Sequence, residues 1–304
     1  MAKIHRNDDP YAIQNQRKGA TQQLAAPQPA PEPSRPEPEE EPEEKPVPRP
    51  ARKKHRRKSD MVYNIAMILC LVIFLVSGGV LVKRYMDDRQ TENEFDNLQA
   101  MIDNDAPATG EESNSAKFAA LRDQNSDFIG WISIEGTSLD FPVMYAPDNK
   151  DFYLRHDFNK EYSVYGVPYL DEKTTLGAND QSENLIVYGH NMKTGTIFGC
   201  LTGYKEADYY AEHPRIQFDT VYGDGTYEVF AAFSIDVVND TSFVYNQYVD
   251  MDEATYNEYV EEVISRSDVD TGIRPSYGEQ LLTLSTCEYS SDNGRYVVVA
   301  RKVE

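Results

Sequence analysis

The chain has 304 residues and a formal net charge of −21, and the charge is unevenly distributed. Residues 1–86 carry 15 Lys and Arg against 10 Asp and Glu, whereas residues 87–304 carry 15 against 41, a balance of −26. A surface that acidic repels phosphate backbones, which argues against nucleic-acid binding. The three cysteines, Cys70, Cys200 and Cys287, are odd in number and widely spaced, which does not indicate a disulfide framework or a metal site. We therefore expect no metal ion and no cofactor.

The first 60 residues lack any apolar periodicity. Ten of the 17 prolines lie between Pro27 and Pro50, interleaved with glutamates. Such a stretch cannot bury enough apolar surface to offset the entropy that ordering would cost, so residues 1–60 are predicted to be a disordered tail. The tail ends in a basic run, Ala51–Lys58, in which six residues are Lys or Arg.

An uncharged apolar segment of 22 residues, Met61–Val82, follows the tail. It is long enough to cross the hydrocarbon core of a bilayer as a helix. A cleaved signal peptide is the alternative, but the segment begins far from the N-terminus and lacks a clear small-x-small cleavage site. The basic run on its N-terminal side places the N-terminus in the cytoplasm and residues 83–304 outside. The protein is thus predicted to be a single-pass protein of the cell membrane with an extracellular C-terminal part.

Beyond the apolar segment, the pattern predicts a helical linker and then a β-rich domain. Helix-like apolar spacing at Thr91–Ile102 and Ser115–Gln124 predicts two linker helices within residues 83–125. From Phe128 onward, short β-rich runs predict a closed barrel of about eight strands over residues 126–304. One helix, Asp252–Arg266, interrupts them, with Asp252 as its cap. The predicted strands are Phe128–Ile134, Leu139–Tyr145, Val164–Leu170, Asn184–Tyr188, Ile216–Phe218, Tyr227–Val238, Gln280–Thr286 and Tyr296–Val303.

Three residues at the ends of predicted strands could carry chemistry. Cys287 ends an apolar run and precedes a polar loop, although a small buried cysteine is the ordinary alternative. His190 emerges after a buried-type strand and Gly189, where many histidines are merely solvated. Arg295 opens the last strand and could be an ordinary edge cation. If the last two strands are antiparallel neighbours, Cys287 and Arg295 face each other across the mouth of a hairpin.

Together these residue types suit acyl transfer. A cysteine attacks as a thiolate, which a nearby imidazolium or guanidinium stabilises. Histidine can donate a proton to a departing amine. Arginine stays charged and can donate hydrogen bonds to a developing oxyanion. The spacing in sequence leaves open whether His190 lies near Cys287 and Arg295.

At these residues the chain resembles the sortase family, specifically class B. The resemblance extends from about Asp123 to the C-terminus, and the helix Asp252–Arg266 resembles the extra helix that marks class B. In combination, a TLxTC motif, a YGH histidine and a downstream arginine are highly specific. The segments that carry the resemblance are Asn184–Asn191 (NLIVYGHN), Thr283–Cys287 (TLSTC) and Arg295–Arg301 (RYVVVAR).

The resemblance implies a two-step transfer on a membrane-anchored enzyme. Cys287 would be the nucleophile that attacks the Thr carbonyl of an NPxTG/N-like sorting motif near the C-terminus of a secreted protein. His190 would protonate the leaving amine, and Arg295 would be the family arginine. An amine of a lipid-linked cell-wall precursor would then resolve the thioester, which would fix the secreted protein to peptidoglycan.

The resemblance also implies a set of residues that bind the sorting peptide, and each could instead be an ordinary loop or strand residue. Two lie before the histidine, two in the loop before the class B helix, and two beside the nucleophile. In that order they are Asn149 and Leu154, Phe243 and Val244, and Ser285 and Glu288.

Three other functions remain open from the sequence. The first is a sortase that links pilus subunits, and the second is a cysteine protease that hydrolyses the same kind of motif. A free acid instead of an amide product would identify the protease. The third is a membrane-anchored binding module without catalysis, which would be favoured if Cys287 reacted no faster than an exposed model thiol.

Overall fold

A computed structural model describes residues 58–107, 113–288 and 293–303, with side chains from Met61 onward. The chain divides into a unit of Met1–Val62 and a unit of Tyr63–Glu304, and the strands lie in the second. The disorder predicted for residues 1–60 lies outside the described residues, except that residues 58–60 already belong to a helix.

Helix α1 runs without a break from Lys58 to Gln99. Within the described residues it is the one helix that is long and apolar enough to cross a membrane, and the apolar side chains from Met61 to Val82 are mostly exposed. The predicted linker helix Thr91–Ile102 is therefore the end of α1 and not a separate element. No Gly or Pro lies between Val82 and Thr91, so nothing in the sequence ends the helix there.

The last turns of α1 pack on the barrel. Phe95 and Leu98 are buried at 7% and 3% exposure, and the Phe95 and Phe141 rings form a T-shaped pair with 4.8 Å between centroids. Helix α2, Ala119–Gln124, confirms the second linker helix but is shorter than predicted, because residues 113–118 form turns.

Within the part of the chain that the structure describes, eight strands close into a barrel, as predicted, in the order β1-β2-β3-β4-β7-β8-β6-β5. Neighbours pair antiparallel except for β2–β3 and β4–β7, which are parallel. The strands are β1 Phe128–Ser133, β2 Asp140–Met144, β3 Tyr169–Leu170, β4 Asn184–Tyr188, β5 Arg215–Thr220, β6 Thr226–Asp236, β7 Leu281–Glu288 and β8 Gly294–Lys302.

One predicted strand is much shorter in the structure. The run Val164–Leu170 contributes only the two residues of β3. Gly166 adopts a φ of +61°, and a Cβ there would lie 2.5 Å from the carbonyl oxygen of Tyr153. Because only glycine fits that left-handed and crowded position, the chain turns there and cannot begin a strand earlier.

Two further α-helices occur within the described residues. Helix α3 spans Ala207–Glu212, and helix α4 spans Glu253–Arg266. The Asp252 side chain accepts a hydrogen bond of 2.9 Å from the Thr255 N–H, which confirms the predicted cap. The buried face of α4 joins an apolar cluster with β6, which seats the helix against the barrel wall.

A fragment of residues 87–304 is expected to fold and to react without the apolar segment, because all eight strands and the buried end of α1 remain. A shorter fragment that begins at residue 103 loses Phe95 and Leu98, each worth about 1.5–3 kcal/mol of burial. Its free energy of unfolding in urea should therefore be several kcal/mol lower. An unfolded circular dichroism spectrum for fragment 87–304 would place the domain boundary elsewhere.

Candidate active site

The two strands that carry His190 and Cys287 lie side by side. Strands β4 and β7 pair in parallel, with Tyr188 opposite Ser285 at the last rung of the ladder. The contact continues beyond the strand, since the Gly189 N–H donates to the Ser285 carbonyl at 3.1 Å. His190 and Cys287 both lie two residues beyond this last pair, so continuing the register places them at the same level. The structure thus settles the proximity that the sequence left open.

Arg295 faces the nucleophile candidate from the opposite side. Strands β7 and β8 pair antiparallel, and Cys287 and Arg295 are direct partners in the register, as predicted. Both strands extend further than the sequence indicated, to Glu288 and from Gly294. One guanidinium nitrogen, Nη1, donates to the Gly294 carbonyl at 3.0 Å, which holds the head group beside its own strand.

The three candidates line one cavity of about 550 Å³. Its size suits a short peptide or another ligand of drug-like size. Four of the six predicted peptide-binding residues also line it: Leu154, Phe243, Val244 and Ser285. Phe243 is 2% exposed and packs beneath the Arg266 guanidinium, whereas Val244 is 41% exposed and lies at the rim.

The other two predicted residues, Asn149 and Glu288, are not among those that line the cavity. Asn149 borders a small adjoining depression, within a turn in which its N–H donates to the Ala146 carbonyl. Glu288 forms an ion pair with Lys205 at 3.1 Å. Side chains alternate across a strand, so Glu288 points away from the face that presents Cys287.

His190 is held by the backbone of the segment that precedes β3. Its Nε2 donates to the Leu154 carbonyl at 2.8 Å, which leaves Nδ1 as the nitrogen that gains or loses a proton. Burial lowers the pKa of His190, the Leu154 hydrogen bond opposes that effect, and the positive charge of Arg155 lowers the pKa further. The imidazole is therefore mainly neutral at pH 7.

Gly189 is required for a reason that the sequence did not reveal. Its φ is not positive, so the backbone conformation alone does not require glycine here. Instead, a Cβ at this position would lie 2.7 Å from the Phe198 ring. The Phe198 N–H donates to the His190 carbonyl at 3.0 Å, so the close approach of Phe198 fixes the histidine backbone.

A polar wall of the cavity went unrecognised in the sequence. The Tyr188 hydroxyl donates to Asp171 at 2.8 Å and accepts from Asn246 at 3.1 Å. The Tyr245 and Ser285 hydroxyls lie 2.7 Å apart. Burial raises the pKa of both Tyr188 and Tyr245, so both hydroxyls stay protonated. Tyr188 lies in the motif that carries His190, but nothing in its spacing distinguishes it from a core residue.

Cys200 is predicted to be structural. Burial raises the pKa of its thiol, which disfavours the thiolate, and it lies outside the residues that line the cavity. The Cys200→Ala variant should therefore retain most of the activity of the wild type, measured as the rate of peptide transfer to an amine. A loss as large as that of Cys287→Ala would contradict this assignment.

Known proteins match most of the chain. A family profile described as the sortase domain matches residues 132–303. Sortase B of Staphylococcus aureus is 29% identical over 243 residues, which cover 79% of this chain and 96% of that protein. Sortase B of Listeria monocytogenes is 29% identical over 238 residues, which cover 77% and 93%. A structure of the Staphylococcus aureus sortase B–substrate complex aligns with a TM-score of 0.64 at 28% identity, covering 72% of this chain and 99% of that one.

Proposed function

The chain belongs to the sortase family and is a cysteine transpeptidase of the class B kind, and we propose that Cys287, His190 and Arg295 carry its chemistry. One observation supports this assignment most strongly. The ladder of β4, β7 and β8 presents the thiol, the imidazole and the guanidinium at the mouth of one cavity.

In the proposed first step, the Cys287 thiolate attacks the carbonyl carbon of a threonine in the bound peptide. The carbonyl oxygen becomes an oxyanion, to which the Arg295 guanidinium donates hydrogen bonds. As the tetrahedral intermediate collapses, the scissile C–N bond breaks and the His190 imidazolium gives its proton from Nδ1 to the departing amine. The product is a thioester on Cys287 and a neutral imidazole.

In the proposed second step, an incoming amine attacks the thioester. Neutral His190 accepts a proton from that amine, the thiolate departs, and an amide bond forms. The starting states of both side chains are restored. Because burial lowers the pKa of His190, more of the imidazole is neutral and available to accept the proton in this step.

The proposed peptide substrate is an NPxTG/N-like sorting motif near the C-terminus of a secreted protein. The cavity volume of about 550 Å³ supports a short peptide. A related sortase B from Staphylococcus aureus has been solved as a substrate complex. Leu154, Phe243, Val244 and Ser285 are proposed to contact the peptide, while Asn149 and Glu288 are proposed to act from its edges.

The proposed location is the cell membrane, with the catalytic domain on the outer face. Support comes from the exposed apolar stretch of α1 and from the basic run that precedes it. The proposed domains are a cytoplasmic tail over 1–60, a membrane span over 61–82, a helical linker over 83–125 and the catalytic barrel over 126–304. Secreted substrates and lipid-linked precursor amines meet at this face, so the proposed product is a surface protein anchored to peptidoglycan.

The test uses the full chain in detergent with a panel of sorting peptides and amines, read by mass spectrometry. An amide between the peptide threonine and an added amine is the expected product, and the preferred pair identifies both motif and acceptor. A free acid as the sole product would favour the protease. A preference for a lysine amine within a pilin-like protein would favour pilus assembly.

A further inference from the structure

The end of the β4–β7 ladder contains a rung that is not made by the backbone. The Gly189 N–H donates to the Ser285 carbonyl, so in a regular parallel ladder the N–H of Asn191, two residues on, would donate to the Cys287 carbonyl. Here the side chain of Asn191 does so instead, with Nδ2 2.8 Å from that carbonyl oxygen. The bond joins the chain that carries His190 to the backbone of Cys287 itself.

The Asn191 backbone takes another path. It forms an antiparallel bridge with Ile197 within the loop that follows His190. That loop closes on itself, since the Gly195 N–H donates to the Met192 carbonyl at 2.8 Å. The strand direction is therefore lost at Asn191, and the side-chain amide supplies the hydrogen bond that the backbone gives up.

The residue type suits this rung closely. An asparagine amide carries two N–H donors on a short side chain, whereas aspartate at neutral pH has none. Gly199 lies next to this amide. A Cβ on Gly199 would lie 3.7 Å from Asn191 Oδ1 and 2.8 Å from the Met192 carbonyl oxygen. The chain at Gly199 therefore approaches the Met192 backbone closely and lies within van der Waals distance of the Asn191 amide.

We propose that Asn191 is a positioning residue that fixes the spacing between the His190 imidazole and the Cys287 thiol. The inference rests on the proposed function, in which these two groups exchange protons with the reacting atoms. A second rung, from the Thr286 hydroxyl to the Gly189 carbonyl at 2.8 Å, lies one residue before the pair. The Asn191 bond lies one residue beyond His190. The two side-chain hydrogen bonds therefore join the two segments on either side of His190.

The experiment compares Asn191→Asp and Asn191→Ala with the wild type, as full chains in detergent. Both variants should lower kcat for peptide transfer by roughly ten- to a hundred-fold, since a misplacement of about 1 Å at a reacting pair costs that much. The KM for the peptide should change less. The rate of Cys287 alkylation at pH 7, located by peptide mapping, should also fall in both variants, because a displaced imidazole stabilises the thiolate less.

The pH dependence of the two variants distinguishes a loss of the Asn191 hydrogen bond from a loss of side-chain packing. Protonated aspartic acid regains one donor, whereas alanine never does. The ratio of the kcat of Asn191→Asp to that of Asn191→Ala should therefore rise several-fold as the pH falls toward 4–5, a range set by the ordinary carboxyl pKa.

Gln181→Glu is the matched control. The Gln181 side chain is exposed near the start of β4, and its Nε2 donates to the Gly177 carbonyl at 2.9 Å, so the change again converts an amide into a carboxylate. It should leave kcat and the rate of Cys287 alkylation at pH 7 unchanged. Wild-type kcat and alkylation in both Asn191 variants would overturn the inference, as would a kcat loss that only follows a fall in Tm. Absence of Cys287-dependent transfer by the wild type would instead refute the proposed function.

Discussion

The Cys287→Ala variant is expected to lose peptide transfer by roughly 10⁴-fold or more, because the proposed acyl-enzyme forms on the Cys287 sulfur. Its fold should survive. Cys287 is half-buried and lies next to last in β7, while the six residues before it are buried. Intact-mass spectra after mixing with a sorting peptide should show a thioester adduct on the wild type and none on the variant.

The chain supplies its own control for this experiment. Cys200→Ala makes the same chemical change at a thiol outside the cavity, so it should still form the adduct. Peptide mapping should locate the adduct on Cys287 in both the wild type and Cys200→Ala. An adduct that persists in Cys287→Ala at an undiminished rate would show that the nucleophile lies elsewhere.

The sequence predicted that Cys287 and Arg295 lie opposite each other because the two residues are close together in the chain. Cys287 and Arg295 are eight residues apart, with strand patterns on both sides and a polar loop between them. Such spacing leaves antiparallel pairing as the simplest arrangement, and the register then places the two residues opposite each other. Residues close together in the chain were therefore sufficient to predict the register of β7 and β8.

The histidine half could not be derived in the same way. His190 and Cys287 lie 97 residues apart in the chain, and their proximity depends on the parallel pairing of β4 and β7. Parallel neighbours require a long crossover, so no turn signal links them. Only the resemblance to sortases connected the two residues in advance.

Local patterns also missed features that depend on tertiary contacts. The continuity of α1 from Lys58 to Gln99 was missed because the change from apolar to charged residues looked like an element boundary. The loss of most of the third predicted strand follows from the contact of Gly166 with the Tyr153 backbone, which no short window of sequence contains. The polar wall around Tyr188 likewise assembles from three separate segments.

Substitution of Arg295 by lysine is expected to lower kcat by about 10²–10³-fold while changing Cys287 alkylation far less. The expected magnitude is that of losing an oxyanion donor. Arginine offers five N–H donors in a planar fork, and the bond to the Gly294 carbonyl uses one of them. Lysine keeps the positive charge opposite Cys287 but cannot reproduce the fork.

The comparison of turnover with alkylation separates two roles of Arg295. Alkylation requires only the thiolate, which a lysine ammonium near the same position also stabilises. Peptide turnover additionally requires stabilisation of the oxyanion, which appears only in the transition state and therefore in kcat. Wild-type turnover in Arg295→Lys would show that the residue contributes charge alone. An equal loss in both measurements would show that it acts mainly on the thiol.

The pH dependence of turnover adds a check on His190 in the same experiment. The proposed transfer uses the imidazolium as acid and the thiolate as nucleophile, so the pH profile of turnover should be bell-shaped. Because burial lowers the pKa of His190 from its ordinary value of 6.5, the acid limb should lie below that pH. Arg295→Lys removes no charge, so it should lower the whole profile without moving the acid limb. An acid limb above 6.5 in the wild type would mean that the histidine is stabilised as a cation, contrary to its burial.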